Sequence, residues 1–214
     1  MLELFLFVNP IGCQCLNAEN ILLKLVSEFD SEIKYKFIPV VSLPVIGKYM
    51  SLKHFDPTNL QLRNQLTNWA YSASLDYKAA SFQGNRKSRN FLIALQTLIN
   101  DEGRSYNKET ITTALKSADL DIALFREDRQ DSLIQELYRE DEHFISEMKV
   151  VDAPTAVIYN YCSEQQDTGV LIENCDSYDL LHHVFDRMLN LDADQSIIEP
   201  ETQNVHTLNF HTLP

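Results

Sequence analysis

At 214 residues with 44% apolar side chains, the chain is long enough for one large domain or two small ones and rich enough for a packed core. Its 18 Lys plus Arg against 31 Asp plus Glu leave a formal charge of -13, which argues against nucleic acid or an anionic membrane as the main partner and favours a basic one. No run approaches the roughly 18 to 20 apolar residues that span a bilayer. Four cysteines, two of them one residue apart, do not read as a secreted disulfide framework, so a cytoplasmic chain is expected.

Leu2 to Val8, LELFLFV, is an almost unbroken apolar run and reads as a strand covered on both faces. Glu3, the lack of a basic leader and the exit into Asn9-Pro10 set it apart from a signal peptide. An amphipathic helix begins near Cys15, with Ala18, Leu22, Leu25, Val26 and Phe29 on one face. Cys13 and Cys15 thus stand where a helix N-terminus lowers a thiol pKa. Residues 33–41 alternate as a second strand, and a right-handed crossover lays it parallel to the first. Pro39 and Pro44 punctuate 39–57, read as a strand end and an irregular connection.

Helices follow. The first, over 58–80, shows Leu62, Leu66, Trp69, Ala70, Ala73 and Tyr77 on one face, and Gly84 breaks it. A second, over 86–100, buries Phe91, Leu92, Leu95, Leu98 and Ile99. Asn107 caps a short helix, Leu120 to Phe125 form another turn, and Asp131 caps a longer helix carrying Leu133, Leu137, Phe144 and Met148.

The strand pattern resumes at Thr155 to Asn160, introduced by Ala153-Pro154, and Val170 to Ile172 pairs with it across a polar loop over 163–169. A last helix starts after Asp176 or Ser177 and buries Leu181, Val184, Phe185, Met188 and Leu189. Residues 191–214 lack a period and are expected to be a flexible tail.

This order, with FVNPIGCQC, VDAPTAVIYN, Ser177-Tyr178-Asp179 and SADLDIALFREDRQD, resembles the DsbA branch of the thioredoxin superfamily, and within it the YjbH/SpxH proteins. The resemblance covers about residues 1–190 and implies an α/β, thioredoxin-like fold with an inserted helical domain. The expected division is 1–55 with 150–190 for the thioredoxin-like domain and 56–149 for the insert. It also implies a function: an adaptor that binds the redox-stress regulator Spx and presents it to the ClpXP protease, as a monomer or a heterodimer with that partner. No cofactor is expected. Some relatives carry a His/Cys-rich leader, a metal-binding region, and because nothing like it precedes Leu2 no metal role is expected either.

The chain departs from the family motif at one position. Gly12 stands where a Cys-x-x-Cys pair has its first cysteine, Cys15 matches the second, and Cys13 falls between. The first cysteine is the nucleophile of such a pair, and glycine has no thiol to offer. Two readings remain: a relic with Cys15 buried and Cys13 partly exposed, which we favour, and a cytosolic thiol-disulfide oxidoreductase that uses Cys13 and Cys15 as a Cys-x-Cys couple. The glutathione-dependent isomerases of the same branch need Ser or Cys at position 12 and are set aside. The resemblance makes Ala153, Pro154 and Thr155 a cis-proline loop, where the backbone before the proline can pair with an extended peptide.

The remaining candidates have plainer readings. Cys162 and Cys175 are read as free thiols, and the adjacent His182 and His183 as rim residues that do not share one metal. The acidic residues between Asp119 and Glu142 form a solvated face or a landing zone for a basic partner. Arg86, Lys87 and Arg89 are too few to bind nucleic acid, and no phosphate loop, nucleophile elbow or zinc signature is present.

Overall fold

A computed structural model describes residues 2–29, 33–160, 168–190 and 204–209. The run LELFLFV forms strand β1 (Leu2–Val8), and its flanks explain its composition. It lies between β2 (Ile33–Pro39), which it pairs in parallel, and β3 (Thr155–Asn160), which it pairs antiparallel. Both edges of β1 are therefore satisfied, and Leu2, Leu4, Leu6, Phe7 and Val8 are buried. Each such side chain contributes on the order of 1.5–3 kcal/mol. β3 pairs antiparallel with β4 (Thr168–Glu173), longer at both ends than expected, and with β5 (Val205–Asn209) at the edge the sheet order is β2-β1-β3-β4-β5.

Helix α1 (Cys13–Glu28) crosses from β1 to β2 and buries Cys15, Ala18, Leu22 and Leu25, the face read from the sequence, with Glu19 among them. Its C-terminal Phe29 meets Phe185 of α8 (Tyr178–Asn190), ring centres 5.7 Å apart. Helices α3 (Leu60–Ser81), α4 (Asn85–Asn100), α5 (Lys108–Ser117), α6 (Ile122–Asp128) and α7 (Leu133–Glu147) come between β2 and β3. Most of their buried apolar residues form a second cluster with Ile11, Ile46, Tyr49 and Met50, while the sheet, α1 and α8 share the first with Tyr77 of α3 and Leu92 of α4. α7 joins the two, because Phe144 packs edge-on against Phe5 at 4.8 Å and stacks on Phe7 at 5.8 Å.

Two stretches differ from expectation. The connection over 39–57 contains a helix, α2 (Leu43–Leu52), with Ser42 as its N-cap and the Ser42 hydroxyl accepting from Val45 N. Pro44 does not break it, since a proline in the first turn lacks only an N–H that has no intrahelical acceptor. Within the expected tail, Val205–Asn209 is the edge strand β5, antiparallel to β4 with Val205 opposite Ile172. Its pairing to β4 supplies the order that so short and polar a segment does not supply itself. Smaller shifts occur at caps: Ser132 rather than Asp131 is the N-cap of α7, although Asp131 Oδ1 accepts from Leu133 N at 2.9 Å.

Candidate functional site

The site begins where β1 ends. Asn9 makes a tight turn, its carbonyl accepting from Gly12 N at 2.9 Å and its side-chain Oδ1 from Ile11 N at 3.1 Å. Gly12 is the N-cap of α1, with extended backbone at φ -85° and ψ 131° and no capping side chain. A Cβ placed there would lie 3.0 Å from Asn9 Cβ and 3.2 Å from both Asn9 O and Cys15 Sγ. The turn is closed around a residue without a side chain.

Both Cys13 and Cys15 lie inside the first turn of α1. Residues two apart on a helix point about 200° apart around its axis, so neither thiol faces the other. Cys13 is partly buried and packs against the cluster of the helical block, whereas Cys15 is 2% exposed and belongs to the core of the sheet. Burial pushes the Cys15 thiol well above its ordinary range, although Asn9 N–H donates to Sγ at 3.1 Å and opposes that shift. Cys175 is fully buried nearby and is also pushed up by desolvation. Cys13, Cys15 and Cys175 are all free thiols, and Cys162 lies outside the described residues.

Beneath the turn runs a polar chain that ties α4 to it. Gln96 donates to Asn9 O at 3.1 Å and to Glu19 Oε1 at 2.9 Å, and Asn100 donates to Ile11 O at 3.1 Å. Glu19 is completely buried, and desolvation pushes its carboxyl up to about 8 despite the Gln96 bond. At neutral pH this carboxyl is mostly a neutral acid.

The Ala153–Pro154 peptide is cis, and Pro154 O accepts from Cys175 N at 3.3 Å. Lys48, projecting from α2, holds this loop. Its Nζ donates to Asp152 Oδ2 at 2.6 Å, to Ala153 O at 3.1 Å and to the side chain of Asn174. Asp152 Oδ1 in turn accepts from Ala153 N at 2.7 Å, and Thr155 Oγ1 donates to Asp152 O at 2.9 Å. Both backbone polar groups of the residue before the proline are therefore already bonded within the chain. Gly12, Cys13, Lys48, Tyr49 and Ala153 border a cleft of only about 10 Å³, roughly the space of one water molecule.

Gly12, Cys13, Cys15 and Ala153 are thus brought to one place, with Pro154 and Thr155 beside them. Sequence reading missed Lys48, Glu19 and Gln96. Glu19 alone had a signal: it sits four residues after Cys15 inside an otherwise apolar helical face. The other candidates are spread out. His182 and His183 are exposed on α8, where His182 touches Phe29 and Tyr178. Lys87 pairs with Asp119 at 3.3 Å and Arg89 covers Tyr35, so part of the small basic cluster is engaged internally. The acidic stretch is not wholly a solvated face, because Asp141 is buried against Lys78, and Asp121 caps α6. Among the described residues no group of three or more His, Cys, Asp or Glu is placed to hold a metal, and no helix is long and apolar enough to cross a membrane.

A family model described as Thioredoxin matches residues 5–183. The ClpXP adapter protein SpxH of Staphylococcus saprophyticus is 24% identical over 196 residues, covering 92% of this chain and 69% of that protein. SpxH of Staphylococcus aureus strain MRSA252 is also 24% identical, over 198 residues, with 92% and 68% covered. Among solved structures, the thiol-disulfide exchange protein alpha-DsbA2 of Wolbachia pipientis superposes with a TM-score of 0.61 at 16% identity, over 87% of this chain and 81% of that one. The cytosolic disulfide reductase DsbM of Pseudomonas aeruginosa gives 0.60 at 11% identity, over 89% and 100%. The architecture is thioredoxin-like and of the DsbA type, a mixed α/β fold with a five-stranded sheet.

Proposed function

This chain belongs to the thioredoxin family, and on that premise we propose that it acts by binding: an adaptor that captures a transcription regulator of the Spx type and promotes its degradation by ClpXP. The observation that carries the proposal is Gly12. In a thioredoxin-type enzyme the helix N-terminus activates a thiol at this point, and here the turn is packed around a residue that has none. The burial of Cys15, the divergence of Cys13 and Cys15 around the helix, and the bonded backbone of Ala153 all support binding over thiol exchange. Similarity to SpxH adapters along 92% of the chain supports the kind of partner.

The proposed setting is the bacterial cytoplasm, in response to redox stress, with the chain a monomer that forms a heterodimer with its regulator. In this reading residues 1–55 with 150–190 form the thioredoxin-like domain and 56–149 the inserted helical domain, with Ile11, Ile46, Tyr49 and Met50 packing into the cluster of the helical block and Tyr77, Leu92 and Met148 into that of the sheet. The test is reconstitution. Purified Spx-type regulator and ClpXP are incubated with increasing amounts of this chain, and regulator loss is followed with time. Acceleration that saturates with the chain supports the proposal. Degradation indifferent to the chain, together with turnover in an insulin-reduction assay, would replace it with the Cys13/Cys15 oxidoreductase.

A further inference from the structure

Beside the Lys48-held loop the surface opens into a groove of about 310 Å³. One wall is the exit of β2 and the start of α2, with Val40, Val41 and Pro44. Ile145 of α7 and Val150 and Val151 form the other. Val151 is 63% exposed, and Leu43, next to the lining residues Ser42 and Pro44, is 61% exposed. Val151 is thus a large aliphatic side chain left open on an otherwise apolar lining, the kind of surface that receives a partner.

Three observations define the occupant. Glu142 lines the groove and is exposed, with no ion pair among the described residues; burial first, and then the Glu142 charge and its side-chain hydrogen bond with Tyr138, push the Tyr138 phenol up. α7 adds Glu136, Glu140 and Glu147 along the same helix, and the whole chain carries a charge of -13. A second copy of so acidic a chain is repelled, and nucleic acid more so. Finally, Val150 and Val151 run directly into Asp152 and Ala153, whose polar groups are bonded to Lys48 and to each other. A peptide arriving here finds an apolar trough instead of a free backbone edge.

We infer that this groove is the docking site for the adaptor's protein partner, and that it receives a segment with aliphatic side chains flanked by Lys or Arg. The aliphatic groups fill the trough between Val41, Ile145 and Val151, and a cation pairs with Glu142. The volume is on the order of two or three such side chains, which suits a short aliphatic anchor. This assignment rests on the adaptor reading and gives that reading a surface.

The experiment uses the full chain and a fluorescein-labelled nonapeptide alternating leucine and lysine, with its leucine-glutamate counterpart as the charge control. The inference predicts saturable binding of the lysine peptide only. Val151→Ser, at an exposed position that leaves folding intact, weakens it by roughly tenfold. Glu142→Lys weakens it too and raises affinity for the glutamate peptide, whereas Leu124→Ser, exposed on α6 outside the lining, changes nothing. Equal binding to wild type and Val151→Ser, or equal loss in Leu124→Ser, overturns the inference. The same variants are then tested for capture of the Spx-type regulator. Capture by wild type that ignores Val151→Ser overturns the groove assignment while the adaptor reading survives. Groove-dependent peptide binding without any regulator capture overturns the adaptor reading and leaves the groove a site for another basic segment.

Discussion

The ammonium of Lys48 lies 3.1 Å from the carbonyl oxygen of Ala153, the residue before the cis proline, and 2.6 Å from the Asp152 carboxylate whose other oxygen accepts Ala153 N–H. One side chain therefore organises both polar groups of the position at which thioredoxin-like proteins pair with extended peptides. Lys48→Met keeps the length and apolar stem but removes all three donated bonds. We expect a loss of about 1–2 kcal/mol in urea unfolding. Amide exchange over 150–155 should speed up in the variant. Unchanged exchange there would mean that the loop is held without Lys48.

Glu19 makes stability depend on pH. Its carboxyl binds a proton up to about pH 8 in the folded chain, but only up to 4.5 when the chain unfolds. Its contribution is therefore complete below 4.5 and is lost as pH rises through 8. Glu19→Gln keeps an acceptor for Gln96 and removes the titration. The variant should match wild type at pH 4 and exceed it by on the order of a few kcal/mol at pH 9. Melting curves at the two values test this, and parallel curves at both would refute it.

Lys78 and Asp141 form a buried pair between α3 and α7, with Lys36 of β2 3.9 Å from the same carboxylate. Removing one partner strands the other charge. Asp141→Leu should cost about 3–5 kcal/mol, and adding Lys78→Met should restore most of it. A double variant no more stable than the single would show that the charges themselves hold α3 to α7.

Gly12→Cys recreates the motif spacing with Cys15. Its Cβ meets Asn9 Cβ at 3.0 Å, so the turn must open by a few tenths of an ångström, and about 1–2 kcal/mol of stability should be lost. Insulin reduction should stay at background, since Lys48 still occupies the Ala153 carbonyl. Robust turnover by this variant would show that the missing thiol alone separates the chain from an enzyme.

Much of this was readable from residue order. The apolar run of β1, the Cys15-Ala18-Leu22-Leu25 face of α1 and the helical block all follow from local period, and Gly12 is visible from spacing to Cys15 alone. What escaped depends on distant partners. α2 was hidden because Pro44 reads as a breaker until Ser42 is seen to cap the turn that contains it. β5 exists by pairing to β4, and five residues of mixed polarity carry no period of their own. Glu19 becomes a buried acid only once packing covers α1, where Gln96 meets it from 77 residues away, and Lys48 reaches Asp152 across 104. The Val41–Val151 groove likewise joins segments far apart in the chain.

The central claim is that binding, not thiol chemistry, is what this thioredoxin fold does. Its most direct test is the rate of ClpXP degradation of an Spx-type regulator in the presence of the Cys13→Ala, Cys15→Ala double variant, its fold checked by circular dichroism. The account predicts a rate equal to that with wild type. A rate that falls to the level without adaptor, from a folded variant, would contradict it.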